Sequence, residues 1–222
     1  MLRDALLVCG KDLRLEMRSR VATNHVLPFV LAVVMLFAFA LDADTATLRK
    51  ATSGLFWVTV LFAATLLVQR SAAIERQDGI GDALRLSGLS ATGLFLGKTL
   101  ALIAELLVLE VLLGIAVIVF YDVRLQGAAL LGAVAVISTI CIAAVGSIYG
   151  PLAAGLRGRE TVLPLLFLPA LAPVLLGASR AFEIALGRGV GNGWSWAALL
   201  GLLAAIYLVV GLATSGPLLE EA

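Results

Sequence analysis

The chain has 222 residues, of which 61% are hydrophobic and 14% are charged, and its formal net charge is +1. A soluble domain contains about 25% charged and about 45–50% apolar residues, so much of this chain must face lipid. The near-neutral charge provides no basic field, which excludes nucleic acid as a partner. Because a spanning segment must satisfy its own backbone hydrogen bonds, the composition predicts an all-α integral membrane protein.

The first 24 residues carry apolar side chains at helical spacing, with charged side chains between them. The apolar positions are Leu2, Ala5, Leu6, Cys9, Leu13 and Met17. This pattern predicts an amphipathic helix that lies on the cytoplasmic leaflet and leads into the first span. A helix packed against other protein fits the pattern equally well.

Six apolar stretches are long enough to cross a bilayer as helices of about 17–25 residues. They run from His25 to Leu41, Ala51 to Gln69, Lys98 to Phe120, Gly127 to Gly150, Val162 to Ala178, and Trp194 to Thr214. The fourth is rich in small residues, which allow helices to approach closely. The fifth contains Pro164, Pro169 and Pro173, which predict a kink or an interruption. Residues 179–193 are expected to form a short amphipathic piece at the outer surface that ends in a glycine-rich turn.

Lysine and arginine residues are distributed unequally between the two sides of the predicted bundle. Of the 16 in the chain, eleven lie in the N-terminal segment and in the second and fourth connections, and five lie on the opposite side. Basic residues accumulate in cytoplasmic loops. The distribution therefore predicts that both termini and the second connection are cytoplasmic.

The second connection, residues 70–97, is long and polar for a turn between two spans, and we call it the coupling segment. Within it, Ile80, Leu84 and Leu86 can form an apolar ridge on a short helix, while Asp78 can cap the start of that helix. Such a piece is suited to docking in a groove of a soluble partner. An ordinary loop resting on the headgroups is the alternative. The predicted docking residues are Glu75, Asp78, Gly79, Ile80, Asp82, Leu84, Arg85 and Leu86.

Two acidic residues, Glu105 and Glu110, lie well inside the third apolar stretch. Lys98 and Glu105 are seven residues apart and therefore share a helix face, whereas Glu110 points elsewhere. An ionisable group at this depth is costly, which predicts an intramembrane polar site in a translocation path or gate. The alternative is a protonated carboxyl that hydrogen-bonds another helix and serves packing.

No residue set predicts catalysis or metal binding. The sequence TGLFLGKT is not a P-loop, because three residues instead of four separate Gly93 from Gly97. His25 is the sole histidine and has no second ligand nearby, and Cys9 and Cys141 form no metal-binding spacing. We therefore expect a non-catalytic chain. Aromatic belts or packing account for the tryptophans Trp57, Trp194 and Trp196.

Two blocks of sequence carry a family resemblance. Residues 54–101, GLFWVTVLFAATLLVQRSAAIERQDGIGDALRLSGLSATGLFLGKTLA, contain a Trp–Val span, an arginine, a QDG turn, a leucine-rich helix and a lysine that opens the third span. Residues 150–176, GPLAAGLRGRETVLPLLFLPALAPVLL, contain a glycine–basic loop followed by a span with three prolines. In these features the chain resembles the haem exporter protein B family, a membrane component of the bacterial ABC transporter for cytochrome c maturation.

The resemblance implies a six-helix permease of the type II ABC exporter (ABC-2) kind in the bacterial inner membrane. Its implied partners are a separate ABC ATPase that binds ATP, a haem-handling membrane subunit, a haem chaperone and a second copy of the chain. The coupling segment would then dock the ATPase as a coupling helix. Haem would be cargo, and no cofactor is expected on this chain.

Three other functions fit the sequence. The first is a permease of the same architecture that exports a lipid, a drug or a polysaccharide. The second is a proton-coupled secondary carrier that uses Glu105 or Glu110 as its proton site, since the resemblance gives these residues no role. The third is a scaffold whose ATPase-driven motion detaches a partner and moves no substrate.

Overall fold

The computed structural model describes residues 1–20, 22–40, 45–77, 89–121, 126–155 and 159–221, and these ranges are helical with short turns and contain no β-strand. In chain order the α-helices are α1 (Leu2–Ser19), α2 (Leu27–Ala40), α3 (Thr45–Gln77), α4 (Ala91–Tyr121), α5 (Ala128–Gly155), α6 (Arg159–Ala185) and α7 (Gly193–Glu221). A π-helical turn, Ala22–Val26, leads into α2.

Among the described residues, five helices have the length and apolar composition of membrane spans, so the chain is a multi-pass membrane protein. The span-length segments are Lys50–Ser71, Ala91–Tyr121, Ala128–Leu152, Leu163–Ala185 and Gly193–Gly216. They coincide with the second to sixth predicted spans. The first predicted span corresponds to the apolar helix Asn24–Ala40, which is shorter than these five.

The small-residue helix α5 lies at the centre of the bundle. It packs most extensively against α6 and α7, and it also contacts α3 and α4. Residues 141–147 of α5 are buried without exception. A side chain at Gly146 would lie 2.9 Å from Val68 of α3, and one at Gly150 would lie 3.1 Å from the same residue. The prediction that small residues allow close helix approach is thus confirmed in this part of α5.

An aromatic cluster joins α3 to α6. Trp57 is fully buried, and its ring lies 5.4 Å from Phe56 and 5.1 Å from Phe182, measured between centroids. Edge-to-face geometry of this kind is favourable between aromatic rings. Trp57 therefore has a packing role, whereas Trp194 and Trp196 are exposed on the bundle surface.

Helix α6 continues through all three prolines, so the predicted interruption is absent. Pro164, Pro169 and Pro173 all lie inside the helix. Each proline removes one backbone donor, but lipid offers the remaining groups no other partner, so the helical state persists. Residues 179–185 continue α6 instead of forming a separate surface piece. The glycine-rich turn follows, with left-handed backbone at Gly187 (φ 72°) and Gly191 (φ 114°).

Helix α4 begins at Ala91, seven residues before the predicted start of the third span at Lys98. Ser90 caps this helix, because the amide of Gly93 donates to the Ser90 Oγ at 3.3 Å. A serine oxygen that accepts from the third helical residue satisfies one of the free amides of the first turn. The last part of the coupling segment is therefore helical.

Candidate functional site

The predicted docking residues lie at the end of α3 and beyond it. Glu75 is in the last turns of α3, and Asp78, Gly79, Ile80, Asp82, Leu84, Arg85 and Leu86 lie outside the described residues. The span-length part of α3 ends at Ser71, while the helix continues to Gln77. Two long helices, α3 and α4, thus lead into and out of the coupling segment.

The N-terminal helix α1 is anchored to the end of the coupling segment. The Ser90 hydroxyl donates to the Asp4 carboxylate at 2.7 Å, and the Ser90 amide donates to the same oxygen at 3.4 Å. These two hydrogen bonds favour the ionised carboxylate and hold the pKa of Asp4 below its ordinary value of 3.8. Ser90 therefore caps α4 and binds α1 at the same time.

Two glycines of α4 bring α1 against its backbone. A Cβ atom at Gly93 would lie 2.7 Å from the Asp4 Cβ, and one at Gly97 would lie 2.6 Å from the Val8 Cβ and 2.7 Å from the Ala5 carbonyl oxygen. Ala5 and Val8 are both 1% exposed, so they are covered by this contact. Glycines four residues apart form a shallow groove on one helix face that admits a second helix.

Further along the same contact, acidic side chains of α1 approach α4. Glu105 interacts electrostatically with Glu16 and Asp12. Asp12 is also paired with Lys11 at 2.7 Å. Burial, the Asp12 carboxylate and Glu105 raise the pKa of the half-buried Cys9 thiol above 9.0. Since Asp4 lies near the start of α4 and Glu16 lies near Glu105, α1 and α4 run in the same direction.

Glu110 lies on a different face of α4, against α5. It is 5% exposed, and the Thr139 hydroxyl lies 2.6 Å from its Oε1 and 2.7 Å from the Ala135 carbonyl oxygen. The other carboxyl oxygen, Oε2, is buried and has no hydrogen-bond partner among the described residues. This carboxyl therefore links α4 to α5 through one hydroxyl.

Of the residues of the predicted intramembrane polar site, Glu105 and Glu110 face different neighbours. Lys98 and Glu105 are half-buried, and Glu105 faces α1, while Glu110 is buried towards α5. His25 is exposed in the π-helical turn. No three histidine, cysteine, aspartate or glutamate side chains come together as a metal site in the part of the chain that the structure describes.

Sequence reasoning missed the partners of these groups. Asp4 and Ser90 are polar residues 86 positions apart, and no local pattern links them. The spacing of Gly93 and Gly97 was a usable signal, because a Gly-x-x-x-Gly pair is typical of a close helix contact. Thr139 had no such signal, since threonine is common in membrane helices.

Span-length helices packed around a small-residue core place the chain in the class of multi-pass membrane proteins. The family model described as "CcmB protein" matches residues 3–218. "Heme exporter protein B" of Paracoccus denitrificans is 31% identical over 207 residues, which cover 92% of this chain and 90% of that protein. "Heme exporter protein B" of Haemophilus influenzae is 27% identical over 180 residues, with 80% of each chain covered. The protein described here belongs to the CcmB family.

Proposed function

We propose that the chain is the membrane subunit of a bacterial ABC transporter for haem export and cytochrome c maturation, in which a separate ATPase subunit hydrolyses ATP. The observation that carries this proposal is the family match across residues 3–218. Relatives named "Heme exporter protein B" that align over most of their length give it further support. Haem is the proposed cargo of the complex and not a cofactor of this chain.

The proposed architecture is a six-helix, ABC-2-like permease in the bacterial inner membrane with both termini in the cytoplasm. The excess of basic residues on the side of the N-terminus supports this orientation. The short apolar helix Asn24–Ala40 is the proposed first crossing. A helix of this length can span a bilayer that thins locally or that receives flanking side chains at its surface. The other proposed partners are a second copy of the chain, a haem-handling membrane subunit and a haem chaperone.

The coupling segment is the proposed contact with the ATPase. Its support is positional, because it joins the ends of two helices that both extend beyond the length needed to cross a bilayer. Helix α4 has 31 residues, whereas a span needs about 20. A movement imposed on the segment by nucleotide-driven closure would therefore be transmitted directly to α3 and α4. Ile80, Leu84 and Leu86 would supply the buried apolar contact, and Glu75, Asp78, Asp82 and Arg85 would set the charge match.

Glu110 is proposed to have a packing role. Its burial against Thr139 of α5 supports a fixed link between two helices more than a proton site that must reach water on both sides. A secondary carrier would need an open path to such a carboxyl. Transport by vesicles that contain this chain without any ATPase would favour the carrier instead.

The docking proposal can be tested by changing Leu84 to Asp and purifying the complex in mild detergent. We expect recovery of the ATPase subunit to fall roughly tenfold or more, because a charge replaces an apolar contact at the centre of the interface. Val190→Asp is the matched control, since Val190 is fully exposed in the turn between α6 and α7. Undiminished ATPase recovery with Leu84→Asp would remove the docking proposal.

The cargo needs a separate measurement. The purified complex should be assayed for haem that co-purifies with it and for ATP-dependent release of a haem-loaded chaperone. Haem-linked activity that requires this chain supports the proposal. If the complex hydrolyses ATP only when a lipid, a drug or a polysaccharide is present, that compound and not haem is the cargo.

A further inference from the structure

The contact between α1 and α4 includes the end of the coupling segment. At this end, Ser90 makes hydrogen bonds to Asp4, and Gly93 and Gly97 let the two helices approach closely. All three residues belong to residues 70–97. Whatever moves the coupling segment must therefore either move α1 with it or separate the two helices.

The contact has the composition of a specific docking site. Close packing of small residues and hydrogen bonds between helices make a helix contact specific. Here a small side chain, Ala5, and a short one, Val8, fit the groove at Gly97, while Asp4 accepts two hydrogen bonds from Ser90. A carboxylate that accepts from an amide and a hydroxyl makes charge-assisted bonds, which are stronger than neutral ones.

The position of Asp4 also fits the direction of α4. Ser90 is the cap of α4, and the first turn of a helix carries free amides and a partial positive charge. An acidic side chain beside this end is electrostatically favourable. The Asp4 carboxylate therefore stabilises the start of α4 at Ala91, which extends the helix into the coupling segment.

We propose that α1 is a positioning element for the coupling segment: by binding Ser90, Gly93 and Gly97, it holds the last part of the segment in the orientation in which the ATPase subunit docks. This inference rests on the proposed function, because it assumes that the coupling segment receives the ATPase. Ala5, Val8 and Asp4 are then positioning residues that act through α4. They need not touch the ATPase.

The test uses the complete complex and the variant Gly97→Leu, which places a large side chain where Val8 and the Ala5 carbonyl lie. Gly114→Leu is the matched control, because Gly114 is on the same helix and has no heavy atom within 4 Å of its Cβ position. Asp4→Asn is a second variant that leaves the glycine groove intact, and Asp4→Glu tests rescue by a retained carboxylate.

Two quantities should be measured on every variant. The first is the rate at which a maleimide labels Cys9, followed by mass spectrometry of its peptide, because Cys9 is half-buried on α1 and reports whether α1 is docked. The second is the amount of ATPase recovered with the chain. For Gly97→Leu we expect labelling to rise about tenfold and ATPase recovery to fall, since local opening of α1 becomes more frequent. Gly114→Leu should change neither.

The possible results separate this inference from the proposed function. Labelling that rises in Gly97→Leu while ATPase recovery and coupling stay normal would overturn the positioning role. Unchanged Cys9 labelling in Gly97→Leu and Asp4→Asn would overturn the docked arrangement itself. Leu84→Asp, measured in parallel, should lose the ATPase without exposing Cys9. If Leu84→Asp keeps the ATPase, the proposed docking of the coupling segment fails, whatever α1 does.

Discussion

The two halves of α4 make different kinds of contact. Its N-terminal half meets α1 through two glycines and the hydrogen bonds between Asp4 and Ser90. Its C-terminal half is embedded in the bundle through large apolar side chains and one buried carboxyl. The buried residues of this half are Leu106, Leu109, Glu110, Leu113, Ala116, Val117 and Tyr121.

The difference indicates where the bundle can move. The contact with α1 involves small side chains, so α1 can separate from α4 without leaving a large void, while Phe95 on another face of the same half stays packed against Gly211 of α7. The C-terminal half packs against several helices at once, and displacing any large side chain there opens a cavity. We therefore expect α1 to separate from α4 more readily than α4 itself leaves the bundle, and we expect a fixed arrangement towards Tyr121.

The largest expected effect comes from removing a side chain in the fixed half. Leu113→Ala should lower the free energy of unfolding by about 1–3 kcal/mol, because the cavity cost remains while lipid reduces the transfer cost. Detergent titration of the purified protein measures this change. Ile115→Ala is the control, because Ile115 is 54% exposed on the same helix and its loss should cost less than about 0.5 kcal/mol. Equal losses of unfolding free energy in Leu113→Ala and Ile115→Ala would contradict the tight packing proposed for Leu113.

A smaller effect is expected from the link between Glu110 and Thr139. A double-mutant cycle with Glu110→Ala and Thr139→Ala should give a coupling energy of about 0.6 kcal/mol, and at most about 1.7 kcal/mol. Glu110→Gln keeps a group that can pair with the hydroxyl, so cytochrome c maturation should remain near the wild-type level. A Glu110→Gln variant that folds normally but abolishes cytochrome c maturation would contradict the packing role. Such a result would indicate a functional role for the Glu110 carboxyl.

The smallest expected effect concerns Asp4 and depends on pH. Its pKa is lower in the folded chain than the ordinary 3.8, so the carboxylate stabilises the docked state above that pH. As the pH falls through the folded pKa, the carboxylate takes up a proton and this stabilisation is lost. The difference in Tm between wild type and Asp4→Asn should therefore narrow below about pH 4. A difference that stays constant from about pH 6 to pH 3 would contradict this role of Asp4.

Sequence predicted the number of long apolar helices better than their ends. The five span-length helices follow from hydrophobic length, which the bilayer imposes. The predicted third span starts at Lys98, whereas α4 begins at Ala91, because the Ser90 cap and the contact of Gly93 and Gly97 with α1 stabilise the first turns of the helix.

The face by which α1 packs could also not be predicted from the sequence alone. Its apolar pattern includes Leu2, Leu6 and Met17, all of which are exposed in the fold, while Ala5 and Val8 are buried. The groove at Gly97 accepts only short side chains, and Gly97 is almost a hundred positions away from Ala5 and Val8 in the sequence. Family membership, in contrast, was accessible from the two sequence blocks, because their order of motifs does not depend on tertiary contacts.

The join between α1 and α2 has a consequence for movement. Arg20 ends α1 with a left-handed backbone (φ 51°), and the π-helical turn Ala22–Val26 follows. Beyond it, α2 is fastened separately, because the Tyr121 hydroxyl donates to the Val34 carbonyl oxygen at 3.2 Å. The N-terminal part of the chain is thus bound to α4 at two distant points, through Asp4 of α1 and Val34 of α2, and the π-helical turn lies between them. A movement of α1 about this joint would leave the hydrogen bond between Tyr121 and Val34 intact, so α1 and α2 can move independently of each other.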